Sequence, residues 1–163
     1  MPAHDPTLHR KTVLTLVAGL LLLVLAPSVL WGAPLAVTRN RDLTFGRFVG
    51  GGGRSGTVRV DVSGARSATS SVILLTGDSY APAQFTITAN SGTRYTIVLP
   101  ASLSVTSGAS QMTLSQLTAS IATSGVVPAS GSVTFLVGGT LTVGSTQGAG
   151  SYSGTFDVTV LRN

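Results

Sequence analysis

From residue 35 onward the apolar side chains of this chain recur at every second position, and that period belongs to strands. Val58, Val60 and Val62 alternate with Thr57, Arg59 and Asp61, and Phe85 and Ile87 alternate with Gln84, Thr86 and Thr88. Successive side chains of a strand point to opposite faces, so each run has one face to bury and one to wet. Composition reinforces the reading. Glu is absent and Lys11 is the only lysine, whereas Val and Thr, which suit a pleated surface, and Gly and Ser, which suit turns, are abundant. A mean hydropathy of +0.44 separates the chain from disordered sequences, which pair low hydropathy with high net charge.

The first residues read as an address. His9, Arg10 and Lys11 precede an apolar run over residues 13–25, and Ala26, Pro27 and Ser28 follow it. A basic start, an apolar centre and small residues beyond are the parts of a secretory signal. Pro34 hinders cutting after Ala33 and Trp31 is bulky two residues upstream, so cleavage after Ser28 or Ala36 stays open. Residues 13–31 are also just long enough to span a bilayer, which makes an uncleaved anchor the rival reading. Pro27 interrupts the run where a signal is expected to end, and this favours cleavage. In both readings the positive charge stays inside and the remainder crosses the membrane. Residues 1–33 are therefore expected to be a signal peptide or N-terminal anchor. Residues 34–163 are expected to form a single domain exported to the periplasm, outer surface or medium. With no Cys there is neither a disulfide nor a lipoprotein attachment, and about 130 residues bury an adequate core without them.

Within the domain the period locates strands and its breaks locate turns. Leu35, Val37, Leu43 and Phe45 share a parity with Arg39 and Arg41, which do not belong on a buried face; a break or bulge is expected between Arg39 and Asp42. Ser63, Gly64 and Ala65 read as a turn. Residues 72–75 form a continuous apolar run, read as a central strand covered on both faces. The turn Asn90-Ser91-Gly92 predicts a hairpin joining Phe85 and Ile87 to Tyr95, Ile97 and Leu99, with Pro100 ending the second strand. Residues 112–121 fit a strand at Met112 and Leu114 and a helix at Leu114, Leu117 and Ile121; strand at the start and loop beyond is the reading adopted. Val133, Phe135 and Val137 resume the alternation, Gly138-Gly139 reads as a turn, and Leu141 and Val143 continue it. In the last strand Tyr152, Phe156, Val158 and Val160 share one face, with Thr155, Asp157 and Thr159 on the other. The expected fold is all-β: about eight to ten strands in two antiparallel sheets, an immunoglobulin-like Greek-key β-sandwich behind an N-terminal signal helix.

Two stretches carry a family resemblance. The opening is Leu43-Thr44-Phe45-Gly46, a Gly-rich loop, and Gly56-Thr57-Val58. The ending is Gly138-Gly139-Thr140-Leu141-Thr142-Val143-Gly144, then Gly150-Ser151-Tyr152-Ser153-Gly154-Thr155-Phe156 and on to Val160. These resemble the bacterial secreted family called domain of unknown function 4402, over nearly the whole of residues 34–163. More distantly, the LTFG opening and the Gly-x-Tyr ending are similar to spore-coat-protein-U type subunits of archaic chaperone–usher pili. That likeness implies an immunoglobulin-like subunit whose missing strand comes from the N-terminal extension of a neighbour, assembled with a periplasmic chaperone and polymerising head to tail. The chain departs from that type in lacking Cys and in having only residues 34–41 ahead of its opening motif, with apolar positions at Leu35 and Val37.

Chemistry-bearing residues are scarce. Both histidines, His4 and His9, lie in or before the leader, so residues 34–163 hold no His, Cys, Lys or Glu. Ser–His–Asp and Cys–His nucleophile systems need residues this domain does not have, and zinc, copper and haem lose their usual ligands. No catalytic, cofactor-binding or metal-binding residue is expected, and no enzyme. Asp61 and Asp157 are expected on solvent faces of strands and Asp42 and Asp78 in turns, which is no glycosidase pair. The loop over residues 50–56 lacks the lysine of a phosphate loop and joins two strands. Tyr80, Tyr95 and Tyr152 are expected in the core or at strand edges. Arg39, Arg41, Arg47 and Arg54 are loosely grouped, but no arginine cluster is interleaved with aromatics, so nucleic acid is not an expected partner. Two functions follow. The first is an exported structural or adhesive surface protein, pilus-like, associating with itself or with neighbouring subunits. The second is a self-contained secreted module binding an anionic envelope or extracellular polymer through Arg39, Arg41 and Arg47.

Overall fold

The computed structural model describes residues 33–50, 52–69 and 71–163, so the leader and its expected signal helix lie outside the described residues apart from Ala33. Among the described residues there is no helix. In chain order the strands are β1 (Ala36–Arg41), β2 (Phe48–Val49), β3 (Gly56–Val60), β4 (Arg66–Thr69), β5 (Ile73–Leu74) and β6 (Ala83–Thr88). They continue with β7 (Arg94–Val98), β8 (Ser102–Ser107), β9 (Ser110–Ala119), β10 (Ser124–Val126), β11 (Ser132–Val143) and β12 (Thr159–Arg162). Every strand pairing is antiparallel.

β11 organises the larger sheet. Val137 is paired on both sides, with Ala83 of β6 and Ala119 of β9; beyond it the β6 edge is taken over by β3, whose Val60 faces Gly139. With β1 beyond β6, β4 beyond β3 and β8 beyond β9, seven strands curl into one sheet. A second sheet has three strands in the order β10-β7-β12. Phe85, Ile87, Phe135 and Val137 from the large sheet and Tyr95 and Ile97 from the small one meet in a single apolar cluster. The Phe85 and Phe135 rings stack with centroids 5.6 Å apart. Burying each such side chain contributes about 1.5–3 kcal/mol. Two facing antiparallel layers of this kind are consistent with the immunoglobulin-like Greek-key β-sandwich expected from the alternation.

The expected irregularity between Arg39 and Asp42 is present. Arg39 sits opposite Phe85 and Arg41 opposite Gln84, so Asn40 is the extra residue of a β-bulge. Several local expectations are corrected. The run before Asn90 and the run after it do not form a hairpin: β6 pairs β1 and β11, and β7 pairs β10 and β12. The chain crosses between layers at that turn, because Phe85 and Ile87 on one side and Tyr95 and Ile97 on the other are buried against each other. Gly138-Gly139 is no turn either. β11 runs straight through it, and the two glycines serve close approach: a Cβ on Gly138 would lie 2.6 Å from the Val60 carbonyl oxygen. The segment over residues 72–75 is not a central strand; only β5 forms there, at an edge against β2, with Ile73 exposed. Residues 112–119 remain strand to the end of β9. Gln116 has a φ of +52°, and the register with β11 shifts nearby. That bulge moves the inward parity from Met112 and Leu114 to Leu117 and Ala119, which is what counterfeited helical spacing. Tyr152, Phe156, Val158 and Val160 do share a face, yet the strand itself is confined to Thr159–Arg162. Twelve strands among the described residues exceed the number expected.

Asp61 is also relocated, from a strand face to the turn after β3. Its Oδ1 accepts from the Ser63 hydroxyl at 2.6 Å, the Ser63 N–H at 2.8 Å and the Ala65 N–H at 3.1 Å. The Ser63 hydroxyl above all, then the Ala65 and Ser63 amides and the Arg59 charge, hold its carboxyl below the ordinary aspartate range against the opposing effect of desolvation. A carboxyl lowered in the folded state contributes stability above the ordinary aspartate range and loses it as pH falls through the folded-state value. Asp61→Asn is therefore expected to flatten the acid limb of a plot of urea midpoint against pH. Gly138→Ala, which drives a methyl into the Val60 and Asp61 backbone, is expected to cost about 2 kcal/mol by urea unfolding. Gly139→Ala meets only the flexible ends of Leu114 and Leu117 and is expected to cost less.

Candidate functional site

A cleft of about 810 Å³ opens between the segment that follows β1 and the segment that precedes β12. Its floor is apolar, from Phe85, Val105, Met112, Leu114, Leu141 and Val143. One wall is the Leu43-Thr44-Phe45-Gly46 stretch. Thr44 exchanges two backbone hydrogen bonds with Ala81 at 2.9 Å each, and Gly46 takes a φ of +68° that a side chain would resist. Arg66 clamps this wall: its guanidinium donates to the Phe45 carbonyl at 3.0 Å and the Leu75 carbonyl at 2.6 Å while lying 4.4 Å from the centre of the Tyr80 ring. The other wall is held by Tyr152, whose hydroxyl donates to the Gly148 carbonyl at 2.6 Å and accepts from the Gln147 amide at 2.7 Å. Ser153 bridges to Thr106, and Gly154 lets the chain pass within reach of the Ser104 and Val105 backbone.

Between Ser153 and β12 the wall changes character. Residues 154–158 belong to no ladder, although Phe156 and Val158 continue the inward alternation into Val160. Phe156 meets Phe85 edge-on at 6.2 Å, yet Phe156, Val158 and Val160 are only half-buried. A matching gap lies opposite. Arg39 is paired with the buried Phe85, which places it on the inward side of the large sheet, and its side chain is nevertheless 62% exposed. All six residues of β1 are exposed. The exposed edge strand β1 and the unpaired stretch that begins at Gly154 thus border one apolar trough.

Arg39, Arg41 and Arg47, grouped only loosely in sequence, all line this cleft; Arg54 does not. Arg39 is paired with Asp42 at 2.9 Å, Arg47 is ion-paired with Asp78, and Arg41 donates to the Pro82 carbonyl at 3.0 Å. Asp42 and Asp78 stand in loops as expected, and Asp157 is exposed. Tyr95 is in the core and Tyr152 half-buried, but Tyr80 is exposed beneath Arg66. The Arg66 clamp and the bare stretch over residues 154–158 left no trace in the alternation. Among the described residues no three His, Cys, Asp or Glu side chains gather as a metal ion would require.

The model of the family described as Domain of unknown function (DUF4402) matches residues 35–161. The chain belongs to that family. No curated protein and no solved structure matches it. The span shared with other DUF4402 domains takes in both walls and the floor of the cleft. In this DUF4402 domain two of the three phenylalanines in the interlayer cluster, Phe135 and Phe156, are expected to differ in worth. Phe135→Ala is expected to cost about 4 kcal/mol by urea unfolding, and the half-covered Phe156→Ala about 2 kcal/mol.

Proposed function

We propose that this DUF4402 protein is an exported structural or adhesive component of the bacterial cell surface, whose cleft receives an extended strand from a neighbouring subunit. The observation that carries the reading is the bare edge over residues 154–158 beside an apolar trough. An unpaired edge presents free N–H and C=O groups, and a strand laid along it satisfies them while its alternate side chains fill the trough. Placed there, the donated side chains would add cover to the half-buried Phe156. Contacts of this kind made between unlike surfaces do not close on themselves, and they build fibres. Until the strand arrives the edge needs cover, which gives a periplasmic chaperone its role.

Export is supported by the basic and apolar leader pattern and by the all-β, cysteine-free domain behind it. A non-catalytic role is supported by the lack of His, Cys, Lys and Glu over residues 34–163. Binding of an anionic polymer through Arg39, Arg41 and Arg47 draws less support, because two of these charges are already matched by Asp42 and Asp78. The test is to purify the exported chain and add synthetic strands of alternating apolar and polar residues. Saturation at a hundred times Kd is expected to stabilise it by about 2.7 kcal/mol, read as a rise in Tm. A stable monomer whose Tm ignores every such strand, including the N-terminal strands of subunits encoded nearby, would overturn the proposal.

A further inference from the structure

We infer that the outer face of the small sheet pairs two copies of this chain back to back, with Arg94 of each copy set on Asp157 of the other. Tyr95 and Ile97 of β7 point into the interlayer cluster, so Arg94, Thr96 and Val98 point away from it. Residues opposite each other in a ladder share a face. Val126 therefore stands beside Arg94, Ser124 and Leu161 flank Thr96, and Thr159 stands beside Val98. Val98, Val126 and Leu161 are 46%, 48% and 50% exposed. The other large apolar side chains exposed among the described residues, Val37, Val49, Ile73 and Tyr80, belong to none of these three strands. The small sheet thus turns a cluster of apolar side chains to water. None of these outer residues lines the cleft, so the inference does not rest on the strand-acceptor reading.

The charges of this face select its occupant. Phe156 and Val158 pack against the core cluster, and Asp157 between them is exposed on the outer side. Thr159 is level with Val98, so Asp157 stands beyond the Val98 end of the face while Arg94 stands at the opposite end. Arg162 is level with Tyr95 and belongs to the other face. Among the described residues neither Arg94 nor Asp157 has an ion-pair partner, since the ion pairs there join Arg39 to Asp42 and Arg47 to Asp78. An apolar middle with one unmatched charge of each sign at its two ends is complementary to itself. A second copy turned by a two-fold axis lying in the face meets it in one of two ways. With the axis along the strands, Arg94 stands over Arg94. With the axis across them, Arg94 of each copy comes to the Asp157 end of the other, and Leu161 of each comes beside Val98 of the other. Only the second arrangement makes two ion pairs while covering the apolar side chains. A three-stranded face is small, so the pairing is weak and counts most where many copies are held on one surface.

The experiment is sedimentation equilibrium of the full exported chain, from micromolar to millimolar concentration, at low and high salt. A monomer–dimer equilibrium that salt weakens is expected. Arg94→Asp alone and Asp157→Arg alone are each expected to weaken pairing about tenfold, because each turns two attractions into two repulsions. Mixed in equal amounts, these two variants are expected to pair with each other as well as the unaltered chain pairs with itself. Leu161→Thr keeps a strand-forming residue and is expected to weaken pairing while the urea midpoint holds. A chain that stays monomeric at every concentration would overturn the inference. So would failure of the two charge variants to pair when mixed, or a dimer indifferent both to them and to Leu161→Thr. Strand exchange through the cleft gives a dimer of that indifferent kind, and it would leave the strand-acceptor reading standing.

Discussion

The meeting of two sheets around Phe85 and Phe135 is the contact on which everything else in this domain depends. A sheet with one apolar face needs that face covered; here the two layers cover one another around Phe85 and Phe135, and the large sheet also buries Val58, Met112, Leu114 and Leu141 in a second cluster. The large sheet brings Phe85, Ile87, Phe135 and Val137, and the small one answers with Tyr95 and Ile97. Where the two layers meet, burial is deepest, as at Ile87, Phe135 and Val137. Over β1 and residues 154–158 the second layer thins out, and the same side-chain chemistry yields half-buried phenylalanine and valine in place of core. The cleft is thus not an addition to the fold. It is the place where its defining contact is left unfinished.

Much of this was legible in the alternation. Val58 and Val60, Phe85 and Ile87, Tyr95 and Ile97, and Phe135 and Val137 all point inward as their two-residue period requires. The Asn40 bulge could be read from two arginines sitting on an apolar parity. Periodicity, however, reports which way a side chain points and says nothing about which strand lies beside it. That is why the Asn90 turn looked like a hairpin and proved to be a crossing between layers. It also explains Gly138-Gly139, because glycine marks both a turn and a close approach, and only the neighbour's position distinguishes them. The three arginines of the cleft were visible as a group, but their pairing with Asp42 and Asp78 depends on loops that alternate with nothing.

The β9 bulge shows the same limit from the other side. Leu114, Leu117 and Ile121 carry a spacing that a helix would use, and a single residue at positive φ, Gln116, produces it within a strand. An inserted residue changes parity without leaving any mark of its own in composition. Arg66 is a further case. It looks like one of several scattered cations, yet its guanidinium ties two loops to Tyr80 and so shapes a wall of the cleft.

The crossing at Asn90 has a bearing on how the molecule comes into being. Because β6 and β7 are not partners, neither can wait in a stable ribbon with its sequence neighbour. β7 finds one companion in β10 and its other only in β12, at residues 159–162. The smaller layer therefore stays incomplete until residues 159–162 are in place. Such distant pairing makes for slow assembly, and it delays closure of the interior until β12 has docked on β7.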